Sequence, residues 1–107
     1  MSRIKAPPPP VPLEMDDLAA CAQVLRVLAH PHRLKIVELL MDGRLSVGEL
    51  ADELELAPSA VSQHLNHMRA HGILGVEREG RTAYYRVENP NAKNVIDCIR
   101  RHGRGSS

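Results

Sequence analysis

The stretch "PSAVSQHLNHMRAHGIL" at residues 58–74 constrains the chain more than any other. Its apolar residues keep a helical beat at Val61, Leu65 and Met68, and Gly72 then stops it. On a wheel of ~100° per residue those three fall within about 60° of one another, and Ser59, Gln63, Asn66 and Ala70 lie nearly opposite. Ser59, Ser62, Gln63 and Asn66 are short, neutral hydrogen-bonding side chains, and no carboxylate occurs anywhere in the stretch. A helix that only needs to stay soluble carries Lys and Glu on its outer face. One that meets DNA uses Gln and Asn, which pair with adenine through two hydrogen bonds, and Ser, which contacts bases or phosphate.

The rest of the chain supplies a setting for that helix. With 107 residues there is room for one domain, and with no Phe, no Trp and two Tyr its core must come from aliphatic side chains on small packed helices. The net charge is +1, but it is unevenly spread. Residues 42–55 set Asp42, Glu49, Asp52, Glu53 and Glu55 against Arg44 alone. Positive charge gathers later, at Arg69, Arg78, Arg81 and Arg86 and again at Lys93, Arg100, Arg101 and Arg104, where a phosphate backbone could meet it. No run approaches the ~18 apolar residues of a membrane span, and the N-terminus lacks the apolar core of a signal peptide. The expectation is a soluble, cytoplasmic protein with reduced cysteines and no membrane partner. Pro7–Pro10 make residues 1–12 an extended, disordered arm, residues 13–103 the folded domain and residues 104–107 a disordered tail.

Helix punctuation is frequent. Leu18, Cys21, Ala22, Leu25, Leu28 and Ala29 predict a helix over 13–29, with Asp16 and Asp17 favoured near its positive end. "HPHR" breaks it, and Pro31 opens a second helix that turns Leu34, Val37 and Leu40 or Met41 inward and ends at Gly43. Ser46 with Glu49 is a capping-box pair starting a short third helix, which buries Val47, Leu50, Ala51 and Leu54. Leu56 and Ala57 form the turn, and Pro58 begins the helix described first. Strands over about 74–79 and 82–88 follow, joined through Gly80, with Tyr84 and Tyr85 on opposite faces. A last helix over about 91–102 places Val95, Cys98 (or Ile99) and His102 on one side. The fold class is therefore mainly α with a small β-hairpin, in the order α-α-α-α-β-β-α. A short helix, a tight turn and a second helix with a polar outer face make a helix-turn-helix, and the hairpin with Arg81 at its tip makes a wing.

Four motifs in this order, "LAHPHRLKIVELL", "LSVGELADEL", "SAVSQHLNHMRAHGIL" and "REGRTAYYRV", resemble the ArsR/SmtB family of winged-helix transcriptional repressors over about residues 18–90. The resemblance implies a homodimer joined through the first and last helices, binding double-stranded operator DNA and released by a metal, metalloid or redox signal. It places Ser59, Ser62, Gln63 and His64 in the recognition helix and Arg81 in the wing, with Asn66 added from the wheel. His64 sits about 70° off the inner stripe and either contacts DNA or covers the helix flank.

The sensor does not follow the family's metal patterns. Relatives that sense thiophilic metals carry a cysteine pair in the third helix, where this chain has Val47 and Gly48. Zinc-sensing relatives place Asp and His at the start of the last helix, where this chain has Asn89 and Asn91. His102 alone cannot hold zinc. His67 and His71 have a chelating spacing without a third ligand, and His30 and His32 flank the start of the second helix as hydrogen-bonding partners. No metal or other cofactor is assigned. That leaves Cys21 and Cys98, which are 77 positions apart and form no local chelate. They are either small core fillers or, where the first and last helices pack together, a pair that forms a disulfide, a polysulfide bridge or a two-thiolate site for a soft metal or metalloid.

Two other function classes compete with the repressor. A winged-helix module binding protein or RNA would lack a steep salt dependence for DNA. An enzyme pairing Cys with His finds no support in a phosphate loop, a nucleophile elbow or a zinc-protease motif, so no enzymatic activity is expected.

Overall fold

The computed structural model describes residues 11–103, so the proline run at 7–10 and the tail at 104–107 lie outside the described residues. Five helices and a small sheet follow in the order α1 Met15–Leu28, α2 Pro31–Leu40, β1 Leu45–Ser46, α3 Val47–Leu54, α4 Pro58–Ala70, β2 Leu74–Glu79, β3 Thr82–Val87 and α5 Pro90–His102. The sheet is antiparallel with β3 in the middle, and this is the winged helix-turn-helix arrangement.

Local chemistry sets most boundaries. At α2 the His30 ring accepts a hydrogen bond from the His32 backbone N–H at 3.2 Å, and Pro31 occupies the first turn, where its missing N–H costs nothing. The capping box at α3 is complete. The Glu49 N–H donates to Ser46 Oγ at 3.2 Å, and the Ser46 N–H donates to Glu49 Oε1 at 2.9 Å. Glu55 ends α3 at φ 56°, a left-handed conformation that a non-glycine residue adopts at a cost of roughly 1 kcal/mol. In the wing, Gly80 has φ 61° as the first of two turn residues between Glu79 and Thr82, the position where a type II′ hairpin favours glycine.

A core of aliphatic side chains unites these elements. Ile36, Val37, Leu50, Val61, Leu65, Met68 and Ile73 are completely shielded from solvent, and Val24, Val27, Leu28, Ala92 and Ile96 extend the core between α1 and α5. Tyr85 is buried, and Tyr84 faces outward beneath the Arg44 guanidinium, which lies 4.4 Å from its ring centre. The two tyrosines therefore split between faces as strand alternation requires.

Three expectations need correction. The short strand β1 pairs with β3 through Leu45–Tyr85 and Ser46–Tyr84, so the sheet has three strands rather than the two of a bare hairpin. A two-residue strand is too short to leave an alternating pattern, and it exists only because β3 offers a free edge. On α1 the buried positions are Val24, Val27 and Leu28, while Cys21, Ala22 and Ala29 are exposed, as are Leu18 at 42 % and Leu25 at 53 %. On α5 the buried positions are Ala92 and Ile96. Val95 is half-buried, and Cys98, Ile99 and His102 are exposed. The apolar stripes identified from periodicity are present on both helices, but most of each stripe faces out of the single chain.

Candidate nucleic-acid interface and thiol cleft

Residues Glu55, Leu56 and Ala57 join α3 to α4, and the Leu56 N–H reaches back to the Ala51 carbonyl at 3.1 Å to fix the turn. With Val61, Leu65 and Met68 buried, α4 has its rotation set by packing. Ser59, Gln63 and Asn66 are consequently exposed, Ser62 is half-buried, and no acidic side chain lies on the helix. The structure gives His64 a partner inside the protein. Its Nδ1 accepts from Arg33 Nε at 3.1 Å, and its ring stands edge-on to His30 with centres 4.6 Å apart. Burial, together with the nearby His30, Arg33, His32 and His67, lowers the His64 pKa below its ordinary value. Arg33 also donates from Nη1 to the Val27 carbonyl at 3.0 Å, so one guanidinium links the last turn of α1, the start of α2 and the flank of α4. Sequence reasoning passed over Arg33, because nothing in "HPHR" reveals which distant side chain the arginine meets.

The wing sorts its charges. Arg86 pairs with Glu77 at 3.2 Å and Glu88 at 2.9 Å, and Arg44 reaches Glu79 at 2.6 Å. These exposed pairs add little stability but neutralise the carboxylates beside the sheet. Arg78 and Arg81 have no carboxylate partner among the described residues, and Arg81 stands exposed at the tip. Positive charge on the wing is thus left at its outer end.

Cys21 and Cys98 are both free and exposed, which rules out their role as fillers of the single chain's core. The structure brings them to one apolar cleft of about 440 Å³ between α1 and α5, together with Val24, Leu25, Val95 and Ile99. Leu18, Leu25 and Ile99 (46 % exposed) continue that apolar surface. Of the candidate metal positions of the last helix, Asn89 already caps it. Asn89 Oδ1 accepts from the Asn91 N–H at 2.8 Å as the helix cap, and His102 is exposed at the far end.

The model of the arsR family of bacterial regulatory proteins matches residues 30–75, which span α2 to the start of β2 and include both helices of the helix-turn-helix. The transcriptional activator HlyU of Vibrio cholerae is 39 % identical over 89 residues, covering 82 % of each chain. This chain belongs to the arsR family. The transcriptional repressor PagR of Bacillus anthracis is 40 % identical over 88 residues, covering 81 % of this chain and 88 % of its own. Among solved structures, reduced HlyU from Vibrio cholerae superposes with a TM-score of 0.78 at 34 % identity, over 84 % of this chain and 95 % of that one. The homodimeric winged helix-turn-helix DNA-binding domain of Mb0332 from Mycobacterium bovis superposes at 0.69 with 26 % identity, covering 80 % of each chain. As an arsR-family regulator the chain has the winged-helix architecture that its sequence motifs imply. Among the described residues no helix is long and apolar enough to cross a membrane.

Proposed function

We propose that this arsR-family chain is a cytoplasmic, homodimeric repressor that binds a specific double-stranded operator and is released by thiol chemistry at Cys21 and Cys98. The exposed, carboxylate-free face of α4 carries the DNA reading. Ser59, Ser62, Gln63, His64 and Asn66 belong to the helix that enters the major groove, and Arg81 follows the phosphate backbone from the wing. In that division of labour Gln63→Ala relaxes operator discrimination by ~1–3 kcal/mol. Arg81→Ala weakens operator and random DNA alike and lowers the salt slope by about one. Titrations of both variants against operator and scrambled duplexes at several salt concentrations check this. Parallel losses for the two variants on every sequence would refute the assignment.

The two exposed thiols in one cleft support the switch, and the Vibrio cholerae relative HlyU has been solved in a form described as reduced. A disulfide requires Cα atoms roughly 4.4–6.8 Å apart, so bridging Cys21 and Cys98 draws α1 and α5 together, within a subunit or across the dimer. Peroxide takes the two electrons, both thiol protons leave, and water forms. Because α1 and α5 carry the dimer, the bridge changes the spacing of the two α4 helices without altering any contacting side chain. Oxidant or persulfide is expected to lower operator affinity and reductant to restore it, while Cys21→Ser and Cys98→Ser each stay on DNA under the same treatment. Mass spectrometry that finds no Cys21–Cys98 link, or serine variants that still release DNA, would leave the cysteines without a sensing role.

A further inference from the structure

Five of the chain's six histidines lie at the start of α2, on α4 or at the C-cap of α4. Three of them, His30, His32 and His64, are half-buried and converge where the α1–α2 turn meets the recognition helix. One ring nitrogen of each lies within 4.8 Å of one from each of the others. The ring centres of His30 and His32 are 5.5 Å apart, and those of His32 and His64 are 6.1 Å apart. Neither helix alone could assemble this trio; it exists because the side chains at the start of α2 meet the flank of α4 at His64.

We propose that His30, His32 and His64 form a binding site for a late first-row divalent cation such as Zn²⁺ or Ni²⁺, and that occupancy releases the recognition helix from Arg33. Neutral imidazole is a preferred ligand for these ions. Around tetrahedral zinc the nitrogens stand about 3.3 Å apart, so the rings need to move inward by roughly an ångström. Half-exposed side chains can do this by rotating, and solvent water fills the fourth position.

The lone pairs determine the consequence. A neutral imidazole has one in-plane lone pair, and in His64 it accepts the hydrogen bond from Arg33 Nε. A cation bound at Nδ1 displaces the guanidinium directly. A cation bound at the other nitrogen requires the ring proton to sit on Nδ1, which then cannot accept. Either way the Arg33–His64 hydrogen bond is lost, and the guanidinium is repelled by the dication. His30 faces the same choice, since its Nδ1 accepts the N–H that caps α2. Loading the site exchanges two hydrogen bonds for three coordinate bonds and resets the contact between α2 and α4. The trio shares no residue with the thiol cleft, so this input is separate from the cysteines.

The test uses the full-length Cys21→Ser/Cys98→Ser protein, so that no thiolate competes. Titration with Co²⁺ should show one ion per chain, with visible ligand-field bands and no thiolate charge-transfer band, and Zn²⁺ should displace it. The His32 ring makes no hydrogen bond among the described residues, so His32→Gln removes a ligand while leaving the Arg33 link and the helix cap intact. It should weaken binding by about tenfold or more, as losing even a partner of a ligand costs ~10–100-fold. His67→Gln, on the neighbouring exposed pair with His71, should leave binding unchanged. Zn²⁺ at a concentration that just fills the double-serine protein should lower its operator affinity at least about fivefold, and should leave the more weakly binding His32→Gln derivative largely on DNA. The site is overturned if no stoichiometric binding occurs, or if His67→Gln rather than His32→Gln abolishes it. The release mechanism is overturned if bound metal leaves operator affinity unchanged. Because metal binding is read without DNA and without thiols, these failures are distinct from a failure of the thiol-switched repressor.

Discussion

The Leu25→Glu variant is expected to be a folded monomer that has lost high-affinity operator binding. Leu25 is 53 % exposed in the single chain and lines the α1–α5 cleft with Ile99, and the exposed Leu18 lies about two turns away along the same face of α1. A charge there meets water in the monomer, so the core of Ile36, Leu50, Leu65 and Met68 has no reason to fail. In a two-fold dimer joined through α1 and α5 the substitution occurs twice. Each copy loses roughly 1–2 kcal/mol of apolar burial and also desolvates an unpaired carboxylate. The two losses together weaken dimerisation at least about a thousandfold. Operator affinity then falls by a further ~10²–10⁴, because two half-sites are no longer engaged through one linked body. Light scattering, circular dichroism and an operator titration on the same sample check the three parts. A monodisperse dimer of normal stability would show that α1 and α5 do not carry the interface.

Leu65→Ala is expected to remove about 3 kcal/mol of stability, from the ~2–5 kcal/mol range for buried leucine truncations. Leu65 is 0 % exposed and sits between Val61 and Met68 on the face that seats the recognition helix. For a domain of this size each kcal/mol lowers the melting temperature by about 4–8 °C, so the fall should be some tens of degrees at most and easily resolved. Gln63→Ala, two residues away on the outer face, should change stability by less than ~0.5 kcal/mol while altering DNA recognition. The pair separates the two faces of one helix. A Leu65→Ala protein that melts within a degree or two of the parent would mean that α4 is not held by its inner stripe.

The elements that sequence made legible are those whose signals are local. The Ser46–Glu49 capping box, the prolines at the starts of α2 and α4, and the glycine in the wing turn act within a few residues. Helix α4 was readable for the same reason. Its stripe is regular, and its outer face is free of carboxylates, so exposure of Ser59, Gln63 and Asn66 follows once Val61, Leu65 and Met68 are buried. Strand β1 was not readable, because two residues have no period and the partner strand lies about forty positions away. Arg33 was not readable either, since its partners Val27 and His64 lie on different helices.

The terminal helices divide the two kinds of information most clearly. Periodicity by itself determined that α1 and α5 carry apolar stripes with Cys21 and Cys98 on them. Only the tertiary structure decided that Val24, Val27, Leu28, Ala92 and Ile96 take the chain's own core, leaving Leu18, Leu25, Ile99 and both cysteines outside it. The reason is geometric. The apolar residues of α1 and α5 cover a wider arc than the chain's own core shields, and hydrophobic spacing is identical whether the covering surface belongs to the same chain or to another. The histidine trio was likewise decided by the tertiary structure, because it depends on the start of α2 meeting the flank of α4, and a long-range contact leaves no trace in the spacing of residues along either helix.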